Sequence, residues 1–247
     1  MRKRLRAPAP TARSREELYT EVEYLRELAL RALDIAEEAD HDATHDLDLG
    51  IYNRTGFVRA AQRLLTNAAR PCVLAVFDLN NFKPVNDRHG HAAGDAVLVE
   101  VAQRLKIYAS FRDGLAGRLG RGDEFGLILP TPADTDRLYT WCLDAADGAA
   151  WHLAKPYDLD SLGFYLTSIS ACAGLTIAEP RTLLETALLE ADDALYAAKA
   201  NKASEPTGVV AFTPQHRRTR QGTARRAGDT HPTTQLAASE RVFKAAA

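Results

Sequence analysis

The chain has 247 residues, 46% hydrophobic and 26% charged, the balance of an ordinary globular protein with apolar material for one domain plus extensions. Wholesale disorder is excluded, and no apolar run reaches the roughly eighteen residues that a membrane-spanning helix needs. The net charge of −2 hides an asymmetry: residues 1–14 carry +5, residues 213–247 carry +5, and the middle therefore carries −12. The basic N-terminal stretch is not followed by an apolar run, so no secretory signal is expected. Cys72, Cys142 and Cys172 are odd in number and widely spaced, which points to reduced thiols, small core residues and a cytoplasmic location rather than a disulfide framework.

In chain order, residues 1–13 read as a basic, flexible arm containing Pro8 and Pro10. Ser14 with Glu17 three residues on has the spacing of a capping box and opens a helix over 14–40. Leu18, Val22, Leu25, Ala29, Ala32, Ala36 and Ala39 form an apolar seam on it, suited to a second helix or to the helix's own domain. The polar stretch 40–48 breaks this pattern. A helix follows near 54–68, then the apolar run 72–77 as a buried strand, a helix near 94–109, and two short runs, 114–119 and 124–129, spaced as a hairpin. A helix near 133–149, strand-like segments at 153–158 and 164–177, a helix at 181–200 and a last strand at 209–212 complete the order. This mixture predicts an α/β (α+β) sandwich, a mainly antiparallel sheet flanked by helices. The domain is expected over 46–212, with 213–247 a basic, disordered tail.

Two segments concentrate the chemistry. A strand ending in Asp78 presents a carboxylate at the sheet's mouth, and the next residues supply Lys83, Asn86, Asp87, His91 and Asp95 in one loop-to-helix passage. Gly122, Asp123 and Glu124 sit at the expected hairpin turn. Carboxylates on a tight turn opposite another at a strand end suit a divalent cation that also holds phosphate oxygens. The plainer reading is polar turn residues and a helix cap.

Four stretches together resemble the GGDEF domains, which are diguanylate cyclases. Asp46, Gly50, Asn53 and Arg54 fit the family's opening D-x-L-T-G-L-x-N-R. Residues 78–95, DLNNFKPVNDRHGHAAGD, follow D-x-D-x-F-K-x-x-N-D-x-x-G-H-x-x-G-D. Residues 122–125, GDEF, supply the end of the signature, and 191–199, ADDALYAAK, match A-D-x-A-L-Y-x-A-K. The resemblance implies condensation of two GTP into cyclic di-GMP, with release of two pyrophosphates, across a homodimer in which each domain binds one GTP. It implies that Asp78, the backbone carbonyl of Leu79 and Asp123 hold Mg²⁺ or Mn²⁺. Asp123 is then the candidate base for the ribose 3′-hydroxyl, with Glu124 its acidic neighbour. Asn86 and Asp95 read guanine, Phe82, Lys83 and Lys199 line the triphosphate, Gly122 lies against substrate, and His91 steadies the loop.

Departures from the pattern accompany the match. Arg121 stands within the signature turn, Asn80 replaces the second Asp of D-x-D, and Asp48 and Leu49 replace Leu and Thr in the opening motif. Ala203 stands where relatives often place a phosphate-gripping Arg, in a Lys202-Ala-Ser204 stretch. Ser110 takes the Arg place of the R-x-x-D feedback motif, so no product-inhibition site of that type is expected. The alternative function is a degenerate domain that binds GTP or a protein partner as a regulator. The tails lack interleaved aromatics apart from Phe243, which favours solvated arms over an anchor to nucleic acid or an anionic membrane.

Overall fold

The computed structural model describes residues 14–133, 136–159, 163–166, 169–200 and 208–213. The arm 1–13, the stretch 202–204 and the tail beyond 213 lie outside them. The order is α1 (Arg15–Thr44), β1 (His45–Asp46), β2 (Ile51–Tyr52), α2 (Arg54–Asn67), β3 (Cys72–Asn80), α3 (Phe82–His89) and α4 (His91–Ser110). Then come β4 (Leu115–Arg118), β5 (Glu124–Pro130), α5 (Leu138–Leu153), β6 (Tyr157–Leu159), β7 (Phe164–Leu166), β8 (Ser170–Ala178), α6 (Leu184–Ala200) and β9 (Val209–Ala211).

The capping box forms as expected: Glu17 N–H donates to Ser14 Oγ at 3.1 Å, and Ser14 N–H donates to Glu17 Oε2 at 2.7 Å. The helix runs past the polar stretch to Thr44, because Asp40, His41 and Asp42 are solvated on it and do not oppose helical dihedrals. It is exposed from Arg15 to Ala43, so its apolar seam is not buried against its own domain. Only Thr44 is buried, where the chain enters the domain.

Seven strands form one mixed sheet in the order β1-β2-β4-β5-β3-β8-β9, and β6 and β7 form a separate hairpin. β3 lies at its heart, antiparallel to β5 and to β8, while the pairings β2–β4 and β8–β9 are parallel. The apolar run of β3 is continuous because both of its faces are covered. Val73, Ala75, Phe77 and Leu79 pack with Val97, Val101 and Leu105 of α4 and with Ala145, Ala149 and Leu153 of α5. Cys72, Leu74 and Val76 point the other way, onto Phe57, Ala61 and Leu65 of α2 and Ala187, Ala191 and Leu195 of α6. The result is the predicted sandwich of a mainly antiparallel sheet between helical layers.

Boundaries differ where tertiary partners decide them. The expected strand at 164–177 divides into β7 and β8, because its first part pairs with β6 rather than with the main sheet. The helix expected from 181 begins at Leu184, whose N–H is capped by Gln62 Oε1 of α2 at 2.8 Å. All three cysteines are free and buried, and burial pushes the thiols of Cys72 and Cys142 up to about 11 and about 12. They pack as small apolar residues.

α6 lies flush against β8 at Gly174, where a Cβ would overlap the backbone of Ala191 and Leu195. Backbone cannot swing aside as a side-chain tip can, so Gly174→Ala should destabilise the fold by about 1–3 kcal/mol in urea titrations. A midpoint equal to wild type would mean that α6 does not need this close approach.

Candidate active site

Strand alternation puts Asp78 on the face of β3 that meets α6. Lys199 follows Asp192 by seven positions, two helical turns, so both lie on one side of α6. Lys199 Nζ sits 2.6 Å from Asp78 Oδ2, with the Asp78 side chain 18% exposed. The ladder aligns Asp78 with Glu124 on β5 and with Cys172 on β8. Just outside the β5 ladder, the Leu79 N–H donates to the Asp123 carbonyl at 3.2 Å. Asp78, Asp123, Glu124 and Lys199 therefore gather at one end of the central strands.

This crowding shows in the acidities. Burial raises the Asp123 carboxyl above the usual carboxylate range and Asp78 adds to the rise, opposed by the backbone N–H of Asp123 itself, Lys199 and Arg118. Glu124 is raised by desolvation around its carboxyl, then by Asp78, with Lys199 opposing and Asp192 and Asp123 adding. Both groups hold their protons more tightly folded than unfolded. They therefore favour the fold in acid and cost stability as pH rises through their folded-state values.

The turn that carries Asp123 is gripped through its backbone. Arg118 donates from Nε to the Gly122 carbonyl at 3.1 Å and from one terminal nitrogen to the Arg121 carbonyl at 3.0 Å. Its other terminal nitrogen meets Asp46 Oδ2 at 2.8 Å, and both side chains of that pair are 16% exposed. Arg54, the first residue of α2, donates to the Leu119 carbonyl at 3.0 Å, and Leu119 N–H donates to the Glu124 carbonyl at 2.9 Å. Neither Gly120 nor Gly122 has a positive φ, and Arg121 is exposed, so the extra cation enters the turn without backbone strain.

The second group of expected residues lies on a helical corner, not in a loop. Asn81, at φ +62°, turns the chain from β3 into α3. There Phe82 packs partly against the core, Lys83 is exposed, and Pro84 is accommodated in the first turn, where its missing N–H is not needed. Gly90, at φ +85°, ends α3 and starts α4 at His91. His91 and Asp95 are exposed on α4, and Asn86 faces its first turn. Asn80 is 4% exposed, donates to Ser170 Oγ at 3.0 Å and accepts from Cys172 Sγ at 3.5 Å, a buried structural role. Leu79 is 3% exposed, and Gly122 lies at the exposed tip of the turn.

Among the described residues no group of three His, Cys, Asp or Glu side chains is gathered closely enough to hold an ion unaided. The donors present are hard oxygens on Asp78 and Asp123, joined by backbone carbonyls. That set fits Mg²⁺ or Mn²⁺, which use one or two carboxylates and complete their shells with phosphate oxygens and water. Arg54 and Asp192 stand in the matched motifs, but the sequence assigned no site role to them or to Arg118. The G-R-L-G run ahead of the turn and the helical spacing of Asp192 from Lys199 were the available signals.

The profile of the family described as "Diguanylate cyclase, GGDEF domain" matches residues 43–205. The chain belongs to the GGDEF diguanylate cyclase family. It is 39% identical over 160 residues to an uncharacterized 19.3 kDa protein from the repSA 5′ region of Streptomyces ambofaciens, covering 64% of this chain and 79% of that one. It is 35% identical over 164 residues to the diguanylate cyclase TpbB of Pseudomonas aeruginosa, again over 64% of this chain. It spans only 36% of TpbB's length. The coiled coil and GGDEF domain of DgcB from Caulobacter crescentus, solved in complex with c-di-GMP, superposes with a TM-score of 0.62 at 25% identity. That match covers 78% of this chain and 98% of that one. Among the described residues no helix is long and apolar enough to cross a membrane.

Two measurements test this geometry. With chelator present, Asp123→Asn should raise the melting midpoint at pH 7.5, and the gain should shrink as pH falls and vanish at about pH 2, well below the unfolded-state value, where both states carry a protonated acid; an equal or lower midpoint at pH 7.5 would show that the buried charge is not strained. Arg118→Ala leaves Asp46 and two turn carbonyls without their donor and should cost about 1–3 kcal/mol in urea denaturation. Arg118→Lys should recover only part of that, because an ammonium lacks the planar fork.

Proposed function

We propose that this chain is an active diguanylate cyclase, condensing two GTP into cyclic di-GMP and two pyrophosphates across a homodimer. The observation that carries the reading is the meeting of Asp78, Asp123, Glu124 and Lys199 at the end of β3, on a turn whose carbonyls are held by arginines. Asp78, Asp123 and the Leu79 carbonyl would hold Mg²⁺ or Mn²⁺. Such a cation, when bound, neutralises phosphate charge and polarises the phosphorus under attack. Asp123, with its raised carboxyl, accepts the proton of the incoming ribose 3′-hydroxyl, and Glu124 keeps the surroundings acidic. Lys83 and Lys199 meet the charge of the triphosphate, Phe82 and Gly122 lie against it, and His91 steadies the corner. Asn86 and Asp95 present an amide and a carboxylate, the complement of guanine's O6 and its N1–H and N2–H.

One domain binds one GTP, so the second reacting nucleotide comes from a second copy. Leu18, Val22 and Leu25 are 48%, 58% and 53% exposed along α1 and form an apolar seam for that pairing. Arg112, close to the place of a feedback motif but at another spacing, is occupied: it stacks on Tyr108 at 3.8 Å and donates to the Tyr108 carbonyl at 3.2 Å. This supports the absence of that type of product site. The domain is read as 46–212, in a cytoplasmic setting.

A second reading rests on Arg121, whose exposed side chain rises from the signature turn: a regulator that binds GTP or a partner without turnover. Purified protein supplied with GTP and Mn²⁺ and followed by chromatography separates the two. Cyclic di-GMP should form, and Asp123→Ala should lower the rate about 100-fold or more. Product no greater than that variant's, with GTP still bound, would instead establish the regulator.

A further inference from the structure

We infer that Gly94 is a positioning residue for nucleobase selection, holding the Asn86 carboxamide against the first turn of α4. The inference rests on the reading that Asn86 contacts guanine. Glycine inside a helix costs about 0.5–1 kcal/mol relative to alanine, so a buried one in α4 needs a reason. Its φ is not positive, which removes the conformational reason. A Cβ at Gly94 would overlap Asn86 Oδ1 and stand 2.9 Å from Cγ and 3.2 Å from Nδ2. The three nearest atoms thus all belong to one carboxamide. Among the described residues no hydrogen bond fixes that carboxamide from elsewhere, while the backbone beneath it is set by the Gly90 N–H donating to the Asn86 carbonyl at 2.9 Å.

The sharp corner at Gly90 folds α3 back on α4, and the bare step at Gly94, one residue before Asp95, lets the amide lie against α4. Because the overlapping group is the tip of a flexible side chain, an alanine displaces the amide and leaves the helix intact. The purine then loses one of its two polar partners, and selection of guanine over adenine weakens.

The test is calorimetric binding of non-hydrolysable GTP and ATP analogues to the full chain with Mg²⁺, alongside thermal melts, for wild type, Gly94→Ala, Asn86→Ala and the double variant. Gly94→Ala should lose about 5–10-fold of the GTP-over-ATP preference, the worth of one hydrogen bond. Its melting midpoint should equal or exceed wild type. Asn86→Ala should lose the preference to the same extent, and the double variant no more, since one amide underlies both losses. Wild-type preference in Gly94→Ala beside a loss in Asn86→Ala would overturn the positioning role alone. No loss in Asn86→Ala would overturn the guanine reading and this inference with it. A lowered midpoint in Gly94→Ala that the double variant does not restore would assign Gly94 to packing and overturn the inference.

Discussion

The molecule depends on the two ladders that grip β3. Seven register pairs join it to β5, from Cys72↔Pro130 to Asp78↔Glu124, and nine join it to β8, from Cys72↔Ala178 to Asn80↔Ser170. Because side chains alternate across a strand, this register assigns odd residues to the α4–α5 layer and even ones to the α2–α6 layer. A slip of one residue would turn Asp78 away from Lys199 and bury its charge beneath α4. The apolar residues on both faces therefore enforce a polar arrangement at the strand's end.

From that end the structure spends stability on geometry. Asp123 and Glu124 are kept close to Asp78 although desolvation and the Asp78 charge raise both acids. What offsets this is backbone bonding. Arg118, anchored on Asp46, and Arg54 hold the carbonyls of Leu119, Arg121 and Gly122. Asp46 lies just after the C-terminal end of α1, so the exposed helix enters the domain beside the residue that steadies the turn. Carboxylates placed by their backbones keep their own oxygens available for other partners.

Much of this was legible in the residues. The capping box, the apolar run of β3, the hairpin of β4 and β5 and the order of elements follow from local periodicity and turn chemistry. The short strands β1 and β2 have two residues each, too few for any period to register. The stretch 82–89 read as loop because its polar residues and Pro84 mask a short helix, which Asn81 and Gly90 delimit by dihedral angle alone. Arg118 and Asp46 lie 72 residues apart, so no local pattern links them.

The sequence by itself determined the chemical inventory of this protein: carboxylates at a strand end and a turn, lysines near them, and an amide and an acid on either side of a pair of glycines. It also determined family membership, since motif types and order survive without coordinates. Only the tertiary structure decided that Asp78 faces α6, that arginines lock the signature turn, that the α1 seam is left exposed, and that Gly94 makes room for Asn86. The reason is physical: periodicity and capping act over a few residues, whereas facing, pairing and close approach are set between segments that meet only once the sheet has formed.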